Sequence, residues 1–160
     1  MIRPVRPDDA EAIAAIYNPF IRDTVVTFEE TPVDAAEMAR RIEDVTARLP
    51  WLVSEQEGVV AGYAYATRWR PRSAYRFAVE STIYMAPAFV GRGLGTTLYR
   101  TLLEELERGD VHCAVGGVAL PNPASVALHV RLGFQPIGTF REIGWKLGRR
   151  VDVGYWQRVF

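Results

Sequence analysis

The segment "FVGRGLGTTLYRTLLEEL", Phe89 to Leu106, constrains the fold of this chain more than any other. The β-rich run "FAVESTIYMAP" ends at Pro87 just before it, and Leu94, Leu98, Leu102 and Leu106 after it form one helical stripe. The order is therefore strand, glycine turn, helix. A tight connection of this kind needs about one glycine at positive φ. Gly91, Gly93 and Gly95 exceed that need, which indicates a backbone approached by a ligand. Free N–H groups in the turn and the positive end of the helix dipole together make an anion site.

Two well-known phosphate loops do not fit. A P-loop requires G-x-x-x-x-G-K-[ST], and no lysine follows Gly95. A dinucleotide loop requires G-x-G-x-x-G, whereas Thr96 stands at the place of the last glycine. The preceding strand also carries Glu80, Ser81 and Thr82, polar for a buried parallel strand.

The remaining segments can be read in order. "MIRPV" is a first strand, followed by a helix with Asp8 as N-cap and Glu11 completing a capping box. "TPVDAAEMARRIEDVTARL" is a second helix with Pro32 near its first position. "WLVSEQEGVVAGYAYATRW" is a hairpin about a Glu-Gly turn, and "RPRSAYR" is a basic loop. After the glycine segment, Gly109 ends the helix and "VHCAVGGVAL" is a strand. "NPASVALHVRLG" is a helix capped by Asn122, with Pro123 at its first position and Gly133 past its end. The stretch to Phe160 is two strands around "LGRR". The three central strands come as a meander, so we expect an α/β (α+β) fold with a mixed, largely antiparallel sheet of about seven strands flanked by about four helices. One domain is expected over residues 1–160.

Composition excludes several functions. Lys plus Arg equals Asp plus Glu at 19 each, so no basic excess drives nucleic-acid binding. No apolar run is long enough for a membrane span, and the start lacks the apolar core of a signal peptide. A single cysteine, Cys113, and two histidines, His112 and His129, are too few for a structural zinc site, and no metal is expected. The lone cysteine suits a reducing, cytoplasmic setting.

Two segments carry a resemblance. "VGRGLG" is similar to the acetyl-CoA loop Q/R-x-x-G-x-G/A of the GNAT acyltransferases, with Val90 in place of Gln or Arg. "NPASVALHVRLGF" resembles that family's N-x-x-A-x-x-x-Y-x-x-x-G-F, with Ser125 and His129 at the Ala and Tyr offsets. Asn122, Ser125 and His129 fall at about 0°, −60° and −20° around a helix and share one face. His129, "VESTIY", "GLGTTLY" and "DVGYWQ" resemble a narrower group, the phosphinothricin N-acetyltransferases and their relatives acting on methionine sulfone and sulfoximine.

The resemblance implies a GNAT-like fold and acetyl-CoA as cosubstrate. It places the cofactor on Ile83, Tyr84 and Met85, on Gly91, Arg92, Gly93, Leu94, Gly95 and Thr96, and on Asn122 and Ser125. It implies a splay of the strand before the glycine loop, a backbone oxyanion donor around Ile83 to Met85, and an amino-acid substrate near Phe28, Arg72 and Tyr75. Family habit and the apolar end "YWQRVF" imply a homodimer.

The residues themselves support part of this chemistry. An amine of pKa about 9–10 must lose a proton to attack a thioester, so a general base is needed. Glu80, in an apolar strand, has a raised pKa if unpaired and a lowered one if it pairs with Arg68, Arg72 or Arg76. His129 has an unperturbed pKa near neutrality and is the second candidate, as base, as acid or in positioning; His112 reads as structural. Gly116 and Gly117 mark a bulge or a close approach. Trp69, Tyr63 and Trp145 could line the substrate pocket, with core packing the preferred reading. The expected activity is N-acetylation of a small amino-acid-like amine. A polyamine, aminoglycoside or peptide N-terminus remains as a substrate, and a non-catalytic acyl-CoA-binding module as a different class.

Overall fold

A computed structural model describes residues 1–160. The strands are β1 (Ile2–Pro4), β2 (Trp51–Gln56), β3 (Val59–Arg68), β4 (Ala78–Met85), β5 (Cys113–Leu120), β6 (Gln135–Lys146) and β7 (Arg149–Val159). The helices are α1 (Ala10–Asp23), α2 (Ala35–Thr46), α3 (Leu94–Arg108) and α4 (Pro123–Arg131). All seven strands form one sheet in the order β1-β2-β3-β4-β5-β7-β6, and only β4 and β5 are parallel. This is the mixed sheet and helix count that the sequence predicts. No helix is long and apolar enough to cross a membrane.

Two cores follow from the strand alternation. Trp51, Val53 and Tyr63 face α1 and α2, where Ile13, Tyr17, Met38 and Ile42 bury against them. Leu52, Ala64 and Ala66 face the other way, onto Leu98, Leu102, Leu103 and Leu106 of α3. The α3 stripe is thus a core stripe, and it fixes the glycine turn at its N-terminus to the edge of β4.

Pairing of β4 with β5 runs only from Ala78↔Cys113 to Glu80↔Val115. Beyond Glu80 the strands part, while β4 stays paired with β3 to Met85 and β5 with β7 to Leu120. The splay opens a cleft in the middle of the sheet, and Glu80 stands at its apex.

Several local expectations are corrected. Asp8 caps nothing. Residues Pro7–Asp9 form a 3-10 turn, and Asp9 accepts from Arg6 N–H at 2.7 Å and pairs with Arg3 at 2.8 Å. The second helix starts at Ala35, not beside Pro32, because Asp34 accepts from Glu37 N–H at 2.8 Å and takes the cap. Trp145 is 59% exposed and not core, whereas Tyr63 is core as expected. "YWQRVF" is exposed only in part: Trp156 is buried in the α3-side core, whereas Val159 is exposed. The outer strand β6 carries a denser set of exposed apolar side chains, at Ile137, Phe140, Ile143 and Trp145.

Candidate active site

The glycine turn is built for its backbone. Gly91 and Gly93 adopt φ of +79° and +76°, and a Cβ at either would meet nothing within 4 Å. Glycine is needed there for conformation, not for space. Gly95 is different: it has no positive φ, and a Cβ there would make an ordinary contact with Met85 Cγ at 3.4 Å where α3 lies on β4. No backbone N–H from Gly91 to Thr96 donates within the chain; the first to do so is Thr97, to Gly93 O at 3.2 Å. These unpaired donors, at the positive end of α3, form an anion cradle. A cavity of about 490 Å³ runs from it along Ile83, Tyr84 and Met85 to Asn122 and Ser125. Of the predicted cofactor residues, Ile83, Tyr84, Met85, Gly91, Gly93, Gly95, Thr96, Asn122 and Ser125 line it. Leu94 and Arg92 do not; Arg92 lies 5.3 Å over the Phe89 ring.

A second cavity, of about 370 Å³, fills the cleft between the splayed strands. Glu80, Ser81, Thr82, Gly117, Val118 and His129 line it, with Phe28 and Tyr155. It shares Val26, Ile83, Tyr84, Asn122 and Ser125 with the first cavity, so the two spaces join at the end of the cleft.

Glu80 makes no ion pair: none of Arg68, Arg72 and Arg76 bridges it. Burial raises its pKa above the ordinary carboxylate value, and the charge of Arg70 opposes that rise only in part. Arg70 stacks 4.3 Å over Trp69, which meets Tyr155 edge-on at 5.8 Å.

His129 is 4% exposed and held from both ring nitrogens. The Ser125 carbonyl accepts from Nδ1 at 2.7 Å, so Nδ1 carries the proton. Nε2 therefore accepts from the Tyr99 hydroxyl at 3.1 Å, and Ser81 Oγ donates to that hydroxyl at 2.7 Å. Burial lowers the His129 pKa, against a smaller raising effect of Ser125. The result is a neutral imidazole of defined tautomer at the cavity wall. Asn122 caps α4 through Oδ1, which accepts from Ser125 N–H at 3.2 Å, while its amide nitrogen donates to nothing in the chain.

Gly116 and Gly117 are close approaches. The register of β5 with β7 is continuous from Cys113 to Leu120, so there is no bulge. A Cβ at Gly116 would lie 2.6 Å from His129 Cδ2, and one at Gly117 would lie 3.1 Å from Tyr155 Cε1 and 3.7 Å from Glu80 Oε1.

The structure brings Glu80, His129, Asn122, Ser125 and Phe28 to one space. Arg72 and Tyr75 it does not: they lie on an exposed turn outside the cavity lining. Sequence reasoning missed Tyr99, Ser81 and Tyr155. Tyr99 sits one position after the leucine stripe, and nothing in its spacing marks a polar role.

The acetyltransferase (GNAT) family pattern matches residues 13–134. The chain belongs to this family. It is 44% identical over 159 residues to the phosphinothricin N-acetyltransferase of Alcaligenes faecalis, covering 98% of this chain and 81% of that one. It is 37% identical over 153 residues to an L-methionine sulfoximine/L-methionine sulfone acetyltransferase of Salmonella typhimurium, covering 93% and 88%. The crystal structure of a GNAT superfamily phosphinothricin acetyltransferase from Sinorhizobium meliloti, in complex with acetyl-CoA, superposes with a TM-score of 0.97 at 36% identity, covering 100% and 88%. This GNAT chain is an enzyme of the N-acetyltransferase class.

Proposed function

We propose that this chain transfers the acetyl group of acetyl-CoA to the α-amino group of a small amino-acid-like substrate of the phosphinothricin, methionine sulfone or methionine sulfoximine class. One observation carries the reading: a backbone anion cradle and a cavity holding an unpaired carboxylate and a neutral histidine join at the splayed end of β4. The relatives' named substrates support the class.

In this reading the Gly91–Thr96 amides hold the pyrophosphate, and Asn122 and Ser125 hold the pantetheine arm. The free edge of β4 from Ser81 to Met85 offers that arm a strand-like partner and supplies an oxyanion donor to the thioester carbonyl. Glu80 takes the ammonium proton, since burial places its pKa nearer the amine's than an exposed carboxylate's would be. His129 stands at the same space with its Nε2 lone pair turned to Tyr99, and it accepts or returns a proton through that hydroxyl. Phe28 contacts the amino acid from the cavity lining, and the resemblance adds Arg72 and Tyr75, which stand on the exposed turn outside that lining. A cytoplasmic homodimer is part of the proposal, with the apolar outer face of β6 as the surface it would cover.

The test is an amine panel with acetyl-CoA, read by release of free thiol. It compares methionine sulfone, methionine sulfoximine, phosphinothricin, spermidine and a peptide. Turnover confined to the amino acids supports the assignment. Preference for spermidine or peptide redirects it, and no thiol release with any amine leaves an acyl-CoA-binding module.

A further inference from the structure

The cavity's outer wall is a strap, Thr24–Val33, that joins α1 to α2 and contributes Val26, Thr27 and Phe28 to the lining. One side of the strap is pinned to the helices. Tyr17 bonds both Thr27 and Glu29, and Arg41 forks onto Glu29 at 2.7 and 2.9 Å. The other side rests on the sheet through a buried charge. Lys146 of β6 is 2% exposed, has no carboxylate partner, and donates to Thr27 O at 2.7 Å and to Phe20 O at 3.4 Å. Phe20 O lies in the last turn of α1, where the helix dipole favours a cation. A lysine is almost never buried this far without a specific reason. Two residues earlier, Gly144 leaves room for the Phe28 ring: a Cβ there would lie 2.5 Å from Phe28 Cε2.

We propose that Lys146 is a positioning residue for the amine substrate, tying the strap to β6 so that Phe28 seats over Gly144 and fixes the width of the cavity. The ammonium holds two carbonyls that no other side chain reaches from the sheet side, and Thr27 O belongs to the residue just before Phe28. Lys146 touches no reacting group and acts only through the strap. The inference rests on the amine reading of this cavity.

The experiment uses the full chain with the best amine of the panel. Lys146→Met keeps the stem and removes the donors. Its KM for the amine is expected to rise about 10-fold or more, with kcat and the KM for acetyl-CoA changed by less than about threefold. Gly144→Ala displaces the same ring without unpairing a buried group, so it covers the case in which Lys146→Met does not fold, and it should give the same split. Adding Lys146→Met to Phe28→Ala should cost no more than about threefold further, since both act on one ring. Hydrogen exchange at the amides of residues 24–28 should quicken in Lys146→Met while β2 and β3 stay protected. An unchanged amine KM in a folded Lys146→Met, full additivity with Phe28→Ala, or unchanged strap exchange would overturn the role. If the parent enzyme acetylates no amine, the amine reading fails first, and strap exchange alone then decides whether Lys146 is the anchor.

Discussion

His129 occupies the space that a side chain at Gly116 would take. A Cβ on Gly116 would stand 2.6 Å from His129 Cδ2, and the ring is also fixed by Ser125 O on one side and Tyr99 on the other. The imidazole therefore cannot retreat, and a methyl at Gly116 must break one of those two hydrogen bonds. Gly116→Ala is expected to lower kcat by about 10-fold or more, as misplacing an aligned group does. The KM for acetyl-CoA should move little, because the Gly91–Thr96 cradle is untouched. Steady-state kinetics with both substrates varied checks this, and native kcat in Gly116→Ala would remove His129 from the proton path.

Glu80→Gln should lower kcat by about 10²–10⁴, the usual worth of a general base, with acetyl-CoA affinity preserved. The pH profile gives a second reading. Burial raises the Glu80 pKa above 4.5 and lowers that of His129 below 6.5. A deprotonated Glu80 and a neutral His129 are both required, so activity is lost as pH falls, with the Glu80 limb above 4.5 and the His129 limb below 6.5. Stability follows each shift. The raised Glu80 favours the folded state most at pH below 4.5, and that share is lost as pH rises through its folded value. The depressed His129 pKa acts in the opposite direction: its share of stability is present above 6.5 and is lost as pH falls through the folded value. An acid limb of kcat/KM that stays in place in Glu80→Gln would assign it to His129.

Gly93→Val should abolish binding of acetyl-CoA. The cause is conformation, since a side chain at Gly93 has open space around it but cannot easily hold φ of +76°. The turn would move and its donors would no longer converge. Thermal shift reads this directly. Ligand at about 100-fold over Kd stabilises the parent by about 2.7 kcal/mol, and Gly93→Val should show none of it. A parent whose melting temperature ignores acetyl-CoA would overturn the cradle assignment.

The glycine turn, the α3 stripe and the face shared by Asn122, Ser125 and His129 were legible because each rests on spacing within a single element. The order of the last strands was not. A hairpin around "LGRR" pairs β6 with β7 by local rules, but those rules do not say which of the two lies against β5. Tertiary packing places β7 inside and β6 outside, so Trp156 is core and Trp145 is exposed. Lys146 is hidden from sequence for a similar reason, since its partners Phe20 O and Thr27 O are more than a hundred residues away. Asp8 misled because two acids adjoin: Asp9, not Asp8, can reach both Arg3 and the Arg6 N–H.

The basic loop holds the last test, because two of its arginines should fail in different ways. A zwitterionic substrate brings a carboxylate that loses water on entry, which is costly unless a donor replaces the water. Arg72, expected from the resemblance to bind that group, stands on an exposed turn and its guanidinium donates to nothing in the chain, so its planar fork is available. Arg70 is already stacked on Trp69, and its charge acts on Glu80. Arg72→Ala should raise the amine KM by about 1.5–3 kcal/mol in equivalent free energy, as for a lost charged hydrogen bond. A decarboxylated analogue should lose similar energy on the parent enzyme and little more on Arg72→Ala. Arg70→Ala should instead leave that coupling intact and shift the acid limb upward, since it removes the one charge that lowers the Glu80 pKa. Measuring kcat/KM for the three enzymes with both compounds across pH separates the outcomes. Coupling to the carboxylate found at Arg70 and absent at Arg72 would move the anchor two residues along the loop. Coupling at neither would reopen polyamine and peptide substrates.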